Sequence, residues 1–286
     1  MIRLFTDTSA NLNPSIIKEH NIELVHFHYS INDKVVEYDT LEGFDGKSFY
    51  KAMREGADIK TSMVNIVDYM KAFEPALQNG DDVLYVGMAG GISGAINSAE
   101  IAANELRESY PDRAIVIFDS YAASLGEGMH VLDAAELIEK GERIDAIVQE
   151  LYNRREHLCQ YFTVDDMKYL KKGGRVSGTV AFAGSLLNVK PILMGENTGH
   201  IVFNGVARGE KRAIATLADK YQKLCSDMSL DISIAHADNE AGALSLLEQL
   251  KAIGFTGNCM MEQYEPVTGG HAGPGTIALF FRGIHK

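Results

Sequence analysis

Positive charge is scarce in this chain. Its 286 residues include 27 lysines and arginines against 39 aspartates and glutamates, a formal charge of −12. That deficit excludes nucleic acid as the ligand, because phosphate-backbone binding needs a basic footprint. It also argues against stable docking on anionic lipid, although a transient membrane contact stays compatible with it. Cysteine is scarcer still. Cys159, Cys225 and Cys259 stand far apart, with no C-x-x-C and no zinc-finger histidine spacing, so neither a disulfide framework nor a zinc finger is expected. Long hydrophobic runs are missing too: the longest uncharged stretch, 83–99, contains four glycines and is short for a bilayer span. The opening segment meets charge at Arg3 and Asp7, which leaves no secretory h-region and makes a cytoplasmic protein the expectation. What remains is 46% hydrophobic and 23% charged, an ordinary globular composition long enough for two domains sharing an interface.

Apolar periodicity supplies the elements. Ile2–Thr6, Val83–Val86 and Ile115–Phe118 read as buried strands, with helical spacing from Ile96 to Ser109 and again from Leu132 to Lys140. Strand–helix–strand alternation of this kind predicts a parallel, Rossmann-like sheet over residues 1–155. Residues 156–286 read as a mixed α+β domain. Its strands are Tyr161–Val164, Val189–Met194, His200–Phe203, Asp231–Ala237 and Ile277–Phe281, with helices at Gly209–Lys223 and Ala241–Ile253. The uncharged run from Val176 to Val189 is expected to be a buried helix or the wall of an apolar cavity.

Three segments offer small hydroxyls and glycine at predicted strand ends: Lys60-Thr61-Ser62, Gly90-Gly91-Ile92-Ser93-Gly94, and Asp119-Ser120 followed by Gly126 and Gly128. In a parallel sheet such loops gather at the carboxyl edge, where hydroxyls and free backbone N–H groups suit a carboxylate or phosphate. The glycine loop lacks the lysine of a P-loop. Ala95 in place of a last glycine breaks the G-x-S-x-G nucleophile elbow, which removes the main support for a serine hydrolase. His271 lies in Gly269-Gly270-His271-Ala272-Gly273-Pro274-Gly275, a tight turn-like segment that brings an imidazole donor to an anion. His26 and His28 show no metal-ligand spacing with carboxylates, and no metal is expected. Lys171-Lys172-Gly173-Gly174-Arg175 reads as a capped helix end that leaves Arg175 unexplained, open to a partner or phosphate.

Taken in order, these motifs resemble the DegV family of lipid-binding proteins, which includes the fatty-acid-binding subunit of bacterial fatty acid kinase. The resemblance rests on Thr6-Asp7-Thr8-Ser9-Ala10-Asn11-Leu12, Thr61-Ser62, Ile92-Ser93-Gly94 with Ser98-Ala99, and Asp119-Ser120 with Gly126 and Gly128. It continues through Tyr169 to Ser177, Lys190-Pro191-Ile192-Leu193 and His271 to Gly275. It implies a DegV-like fold of two α/β domains with one long-chain fatty acid between them. It also implies that Thr61, Ser93 and His271 hold the carboxylate, with Ser62 and Gly94 beside them. By the same resemblance Arg175 and Arg208 dock a partner kinase. Such a chain is a carrier rather than an enzyme, with no cofactor. It presents its fatty acid to an ATP-dependent kinase and feeds the acyl phosphate to phospholipid synthesis. Met63-Val64-Asn65 stands where many members carry Gln and Pro, and Ala95 where Thr is frequent. The alternative from a different class is an enzyme on a small phosphorylated or carboxylated metabolite, using Ser93, Asp119 and His271. It predicts turnover by the purified chain alone.

Overall fold

The first strand, β1 (Ile2–Asp7), is followed by a 3-10 turn at Thr8–Ala10, α1 (Pro14–Glu19) and β2 (Glu23–Val25). Next come β3 (His28–Ile31), β4 (Lys34–Val36), α2 (Gly46–Arg54), β5 (Ile59–Ser62), α3 (Ile66–Gln78), β6 (Asp82–Gly87) and α4 (Ala95–Ser109). The chain continues through β7 (Ile115–Asp119), α5 (Leu125–Glu139), α6 (Ile144–Arg155), β8 (Leu158–Thr163), α7 (Lys168–Gly173), β9 (Val189–Gly195) and β10 (Ile201–Arg208). It closes with α8 (Glu210–Leu224), β11 (Ile232–His236), α9 (Glu240–Ala252), β12 (Cys259–Gln263), α10 (Pro266–Ala272) and β13 (Ile277–Arg282). This computed structural model describes residues 1–36, 38, 40–176 and 188–284. Most of the run from Val176 to Val189, expected as a helix or cavity wall, lies outside the described residues.

Strands β2-β1-β6-β7 form a parallel four-stranded sheet. Alternation along them sends successive residues to opposite faces. Phe5, Val83, Tyr85 and Ile117 meet Phe73, Ala102 and Leu106 of α3 and α4 on one side. Leu4, Leu84, Val86 and Phe118 meet Val131, Ala134 and Leu151 of α5 and α6 on the other. Both faces are therefore covered, as a parallel sheet requires. The mixed character expected of the second half is also observed. Its six-stranded sheet runs β10-β9-β8-β13-β11-β12 and is antiparallel except between β11 and β12. One face packs on α8 and α9 through Tyr161, Leu279 and Ile234 against Leu217, Tyr221 and Leu246.

Three sequence expectations change here. Thr61 and Ser62 do not follow a strand of the parallel sheet. They end β5, in a small antiparallel sheet ordered β4-β3-β5. Gly126 and Gly128 are not in a loop but inside α5, where a Cβ would meet the Phe280 ring and the Ala10 carbonyl. Helix α5 begins earlier than its apolar period suggests because it packs this closely. His271 sits in the last turn of α10 rather than in a turn. The helix forms despite two glycines because Pro266 opens it and the Glu265 carboxylate accepts the Val267 and Thr268 amides, a capping arrangement suited to helix starts.

The small sheet and α2 follow β2 in sequence but pack largely on the other half of the chain. Tyr29, Phe49 and Tyr50 share a core with Ala235, Tyr264, Ala278 and Phe280. The Tyr50 hydroxyl donates to the Tyr264 carbonyl at 2.8 Å.

Candidate functional site

A cavity of about 280 Å³ opens between these units, near the lower limit of about 300 Å³ for small-molecule sites. Its walls are largely apolar: Phe27, Met63, Met88, Ile92, Phe162 and Phe280. Phe162 and Phe280 come from the face of the mixed sheet turned away from α8 and α9. Mobile thioether side chains such as Met63 and Met88 adapt well to a flexible chain.

Polar groups converge on it from three directions. From β5 comes Thr61, whose Oγ1 lies 2.8 Å from His271 Nε2 on α10. From the loop after β6 come Ser93 and Gly94, which begin α4. Ser93 Oγ accepts the Ala95 amide at 3.3 Å, so the positive end of α4 faces this wall, a setting that favours an anion. From the end of α7 comes Arg175, whose Nε donates to the Ile92 carbonyl at 3.2 Å and whose other nitrogen donates to the Gly173 carbonyl. Burial pushes the His271 pKa down to about 4, helped by the nearby Arg175 charge. The imidazole is thus neutral at pH 7, one N–H donating and one nitrogen accepting.

Of the residues singled out in the sequence, Thr61, Ser93, Gly94, His271 and Arg175 line this one cavity. Ser62 is exposed at the end of β5 and does not line it. Arg208 is exposed at the end of β10, also away from it. The enzyme alternative places Ser93, Asp119 and His271 around the sheet edge. Asp119 instead accepts the Gly90 and Tyr121 amides, at 3.1 and 3.0 Å, while His271 pairs with Thr61. Among the described residues, these hydrogen bonds do not join Ser93, Asp119 and His271 to one another.

Sequence reasoning passed over Tyr121, Gln160 and Thr268, which also line the cavity. Tyr121 sits at φ 54°, held there by the Asp119 carboxylate and by the Arg155 guanidinium 3.7 Å above its ring centroid. Gln160 Nε2 donates to the Tyr121 carbonyl at 2.9 Å, linking the mixed sheet to the loop after β7. The buried Thr268 hydroxyl has no hydrogen-bond partner among the described residues. It is a further donor on the same helix as His271. Gly91 touches the tip of the β9–β10 hairpin so closely that a Cβ would lie 2.6 Å from the Gly199 carbonyl oxygen. Backbone thus meets backbone where the hairpin crosses the loop after β6.

Behind this wall lie three fully buried carboxyls, Asp7, Glu127 and Glu265. Among the described residues they make no ion pair. Ser9 Oγ bridges Asp7 and Glu127, while Thr6 donates to Glu127 at 3.2 Å and Tyr85 to Asp7 at 2.7 Å. Burial, reinforced by mutual repulsion, raises the pKa of Glu127 far above the usual carboxylate range and moves Glu265 up to about 7. Burial also raises Asp7. Folding therefore takes up protons. The stabilising contribution is complete below the unfolded carboxylate pKa near 4.5 and is lost as pH rises through the folded values. Glu127→Gln is expected to flatten the fall of the melting temperature between pH 5 and 8 and to melt about 3 °C or more above the parent at pH 8. Parallel melting profiles for parent and variant would refute this.

The DegV family, described as an uncharacterised protein family, matches residues 1–283. A DegV domain-containing protein of Clostridium perfringens is 36% identical over 286 residues, covering 99% of this chain and 98% of the relative. A DegV family protein from Thermus thermophilus, whose structure concerns fatty acid binding, is similar with a TM-score of 0.87 at 30% identity over 99% of both chains. The fatty acid kinase B3 protein of Streptococcus pneumoniae, loaded with linoleic acid, shares the fold at a TM-score of 0.85 and 22% identity, over 99% of each chain.

Proposed function

Since this chain belongs to the DegV family, we propose that its cavity holds one long-chain fatty acid. The carboxylate meets Thr61, Ser93 and His271, with Gly94 beside them. The observation that carries the reading is an apolar cavity ending in neutral hydrogen-bond donors, with the Arg175 guanidinium and the start of α4 on the same wall. A buried carboxylate without such donors costs several kcal/mol. The acyl chain supplies the affinity, at about 0.8 kcal/mol per buried methylene. The fatty acid binding described for the Thermus thermophilus protein supports the same ligand.

The chain then acts as a carrier in the cytoplasm, not as a catalyst. A separate ATP-dependent kinase phosphorylates the presented carboxylate, Arg175 and Arg208 contribute to the docking face, and the acyl phosphate goes to phospholipid synthesis after a brief membrane contact. The likeness to the Streptococcus pneumoniae kinase B3 protein motivates this part. The central claim has a direct test. Native mass spectrometry of gently purified protein from a bacterial host is expected to show the added mass of one fatty acid. An apo mass alone, before and after incubation with long-chain fatty acids, would overturn it.

A further inference from the structure

Among the apolar walls of the cavity stands one amide whose oxygen has no donor among the described residues. Gln160 lies on β8 and is 8% exposed. It shares a sheet face with Phe162, two residues on, and pairs across the ladder with Phe280; all three line the cavity. The hydrogen bonding fixes which way the amide points. Nε2 donates to the Tyr121 carbonyl at 2.9 Å, where the amide oxygen would instead confront another acceptor. Oε1 is therefore turned the other way, and no described residue donates to it. The backbone amides beside it are already committed: Tyr121 to Asp119, Ala122 to Ser120 and Gly126 to Ala123. Two glycines make room for the group. An added Cβ would lie 3.1 Å from Oε1 at Gly126 and 2.9 Å from Nε2 at Gly195.

An acceptor is thus presented to a space lined by hydrocarbon. A plain acyl chain, saturated or unsaturated, has no donor to offer it, and a buried acceptor left unpaired is costly. A cationic donor would bring a burial cost of its own. A neutral O–H satisfies the acceptor without adding charge. We infer that the cavity selects fatty acids bearing a hydroxyl on the acyl chain, and that this hydroxyl donates to Gln160 Oε1. The inference rests on the fatty-acid reading above and names the class of acid within it. No described hydrogen bond joins Gln160 to Thr61, Ser93 or His271, so the hydroxyl belongs along the chain and not beside the carboxylate. Gln160 is then a specificity-determining residue, because a site that hydrogen-bonds a ligand hydroxyl disfavours the analogue lacking it.

The test uses the delipidated full-length chain and four probes of equal chain length: stearic acid and its 2-, 10- and 12-hydroxy derivatives. The parent is expected to bind the 10- or the 12-hydroxy acid about fivefold or more tightly than stearic acid. Gln160→Met, apolar and of similar length, is expected to weaken binding of that hydroxy acid about tenfold or more, while stearic acid changes less than about threefold. Gln160→Leu replaces it if the methionine variant does not fold, and the comparison within the parent needs neither. Equal losses for stearic and hydroxy acids make Gln160 a structural bridge to Tyr121 and overturn the selection. A parent that binds both mid-chain hydroxy acids no better than stearic acid overturns it too. Both results leave the fatty-acid reading intact. A loss confined to 2-hydroxystearic acid puts the amide at the carboxylate and overturns the mid-chain placement. A parent that binds none of the four acids overturns the fatty-acid reading as well.

Discussion

Thr61→Val is expected to weaken binding of a long-chain fatty acid by about 10- to 100-fold, the consequence of removing one hydrogen bond to a charged group in a desolvated site. Valine keeps the branched shape of threonine, so the wall of the cavity is preserved and the hydroxyl alone is lost. That hydroxyl lies 2.8 Å from His271 Nε2, and its loss also leaves the imidazole without its described partner. Ser93→Ala removes a second donor and is expected to have an effect of similar size. Displacement of a fluorescent fatty acid measures both, with thermal melting alongside. Unchanged affinity in the two variants would take these hydroxyls out of the site. Weaker binding matched by a large drop in melting temperature would make their role structural.

The second large effect is expected at Gly269. A Cβ there overlaps the Tyr50 hydroxyl, and Tyr50 is fully buried. Alanine in place of glycine ordinarily favours a helix by up to about 1 kcal/mol. Overpacking a core position costs about 1–3 kcal/mol, and pushing the Tyr50 hydroxyl off the Tyr264 carbonyl costs about 1 kcal/mol more. The unfavourable terms win. Gly269→Ala is expected to lower the melting temperature by several degrees, at about 2–4 °C per kcal/mol for a chain of this size. Because α10 carries His271, fatty-acid affinity should fall with it. Adding Tyr50→Phe removes the overlapping oxygen and should restore much of the lost stability. Simple additivity of the two substitutions would show that the contact is not the cause.

Much of the frame was readable from periodicity, and the reasons for the failures are local. Strands β1, β6 and β7 and helix α4 carry apolar runs and spacings that match the elements observed. Most elements of the second half do too, β12 and α10 excepted. The small sheet carried no such signal. Tyr29, Phe49 and Tyr50 take their burial from Tyr264 and Phe280, so their neighbours in sequence say nothing about it. Gly126, Gly128 and Gly269 look like chain breakers, yet each is a point of close approach inside a helix. Their tolerance is decided by the partner surface and not by propensity. At the site, Thr61, Ser93 and His271 stood out because hydroxyls, glycines and a histidine clustered in short segments. Gln160 sits amid unremarkable residues and Tyr121 directly follows the singled-out Asp119-Ser120; both reach the cavity where the mixed sheet meets the loop after β7.

The same arrangement bears on how the molecule is made. Tyr50 and its acceptor Tyr264 are 214 positions apart, so α2 and the small sheet emerge from the ribosome long before the surface that buries them. Their aromatic side chains must wait, exposed, for nearly the whole chain to be synthesised. Non-local contacts of this kind slow folding and leave early segments open to misassembly. A fragment ending near residue 155 would retain the parallel sheet but strand that aromatic cluster without its counterpart. The apolar cavity and the loops around it thus take shape only when the early and late parts of the polypeptide meet.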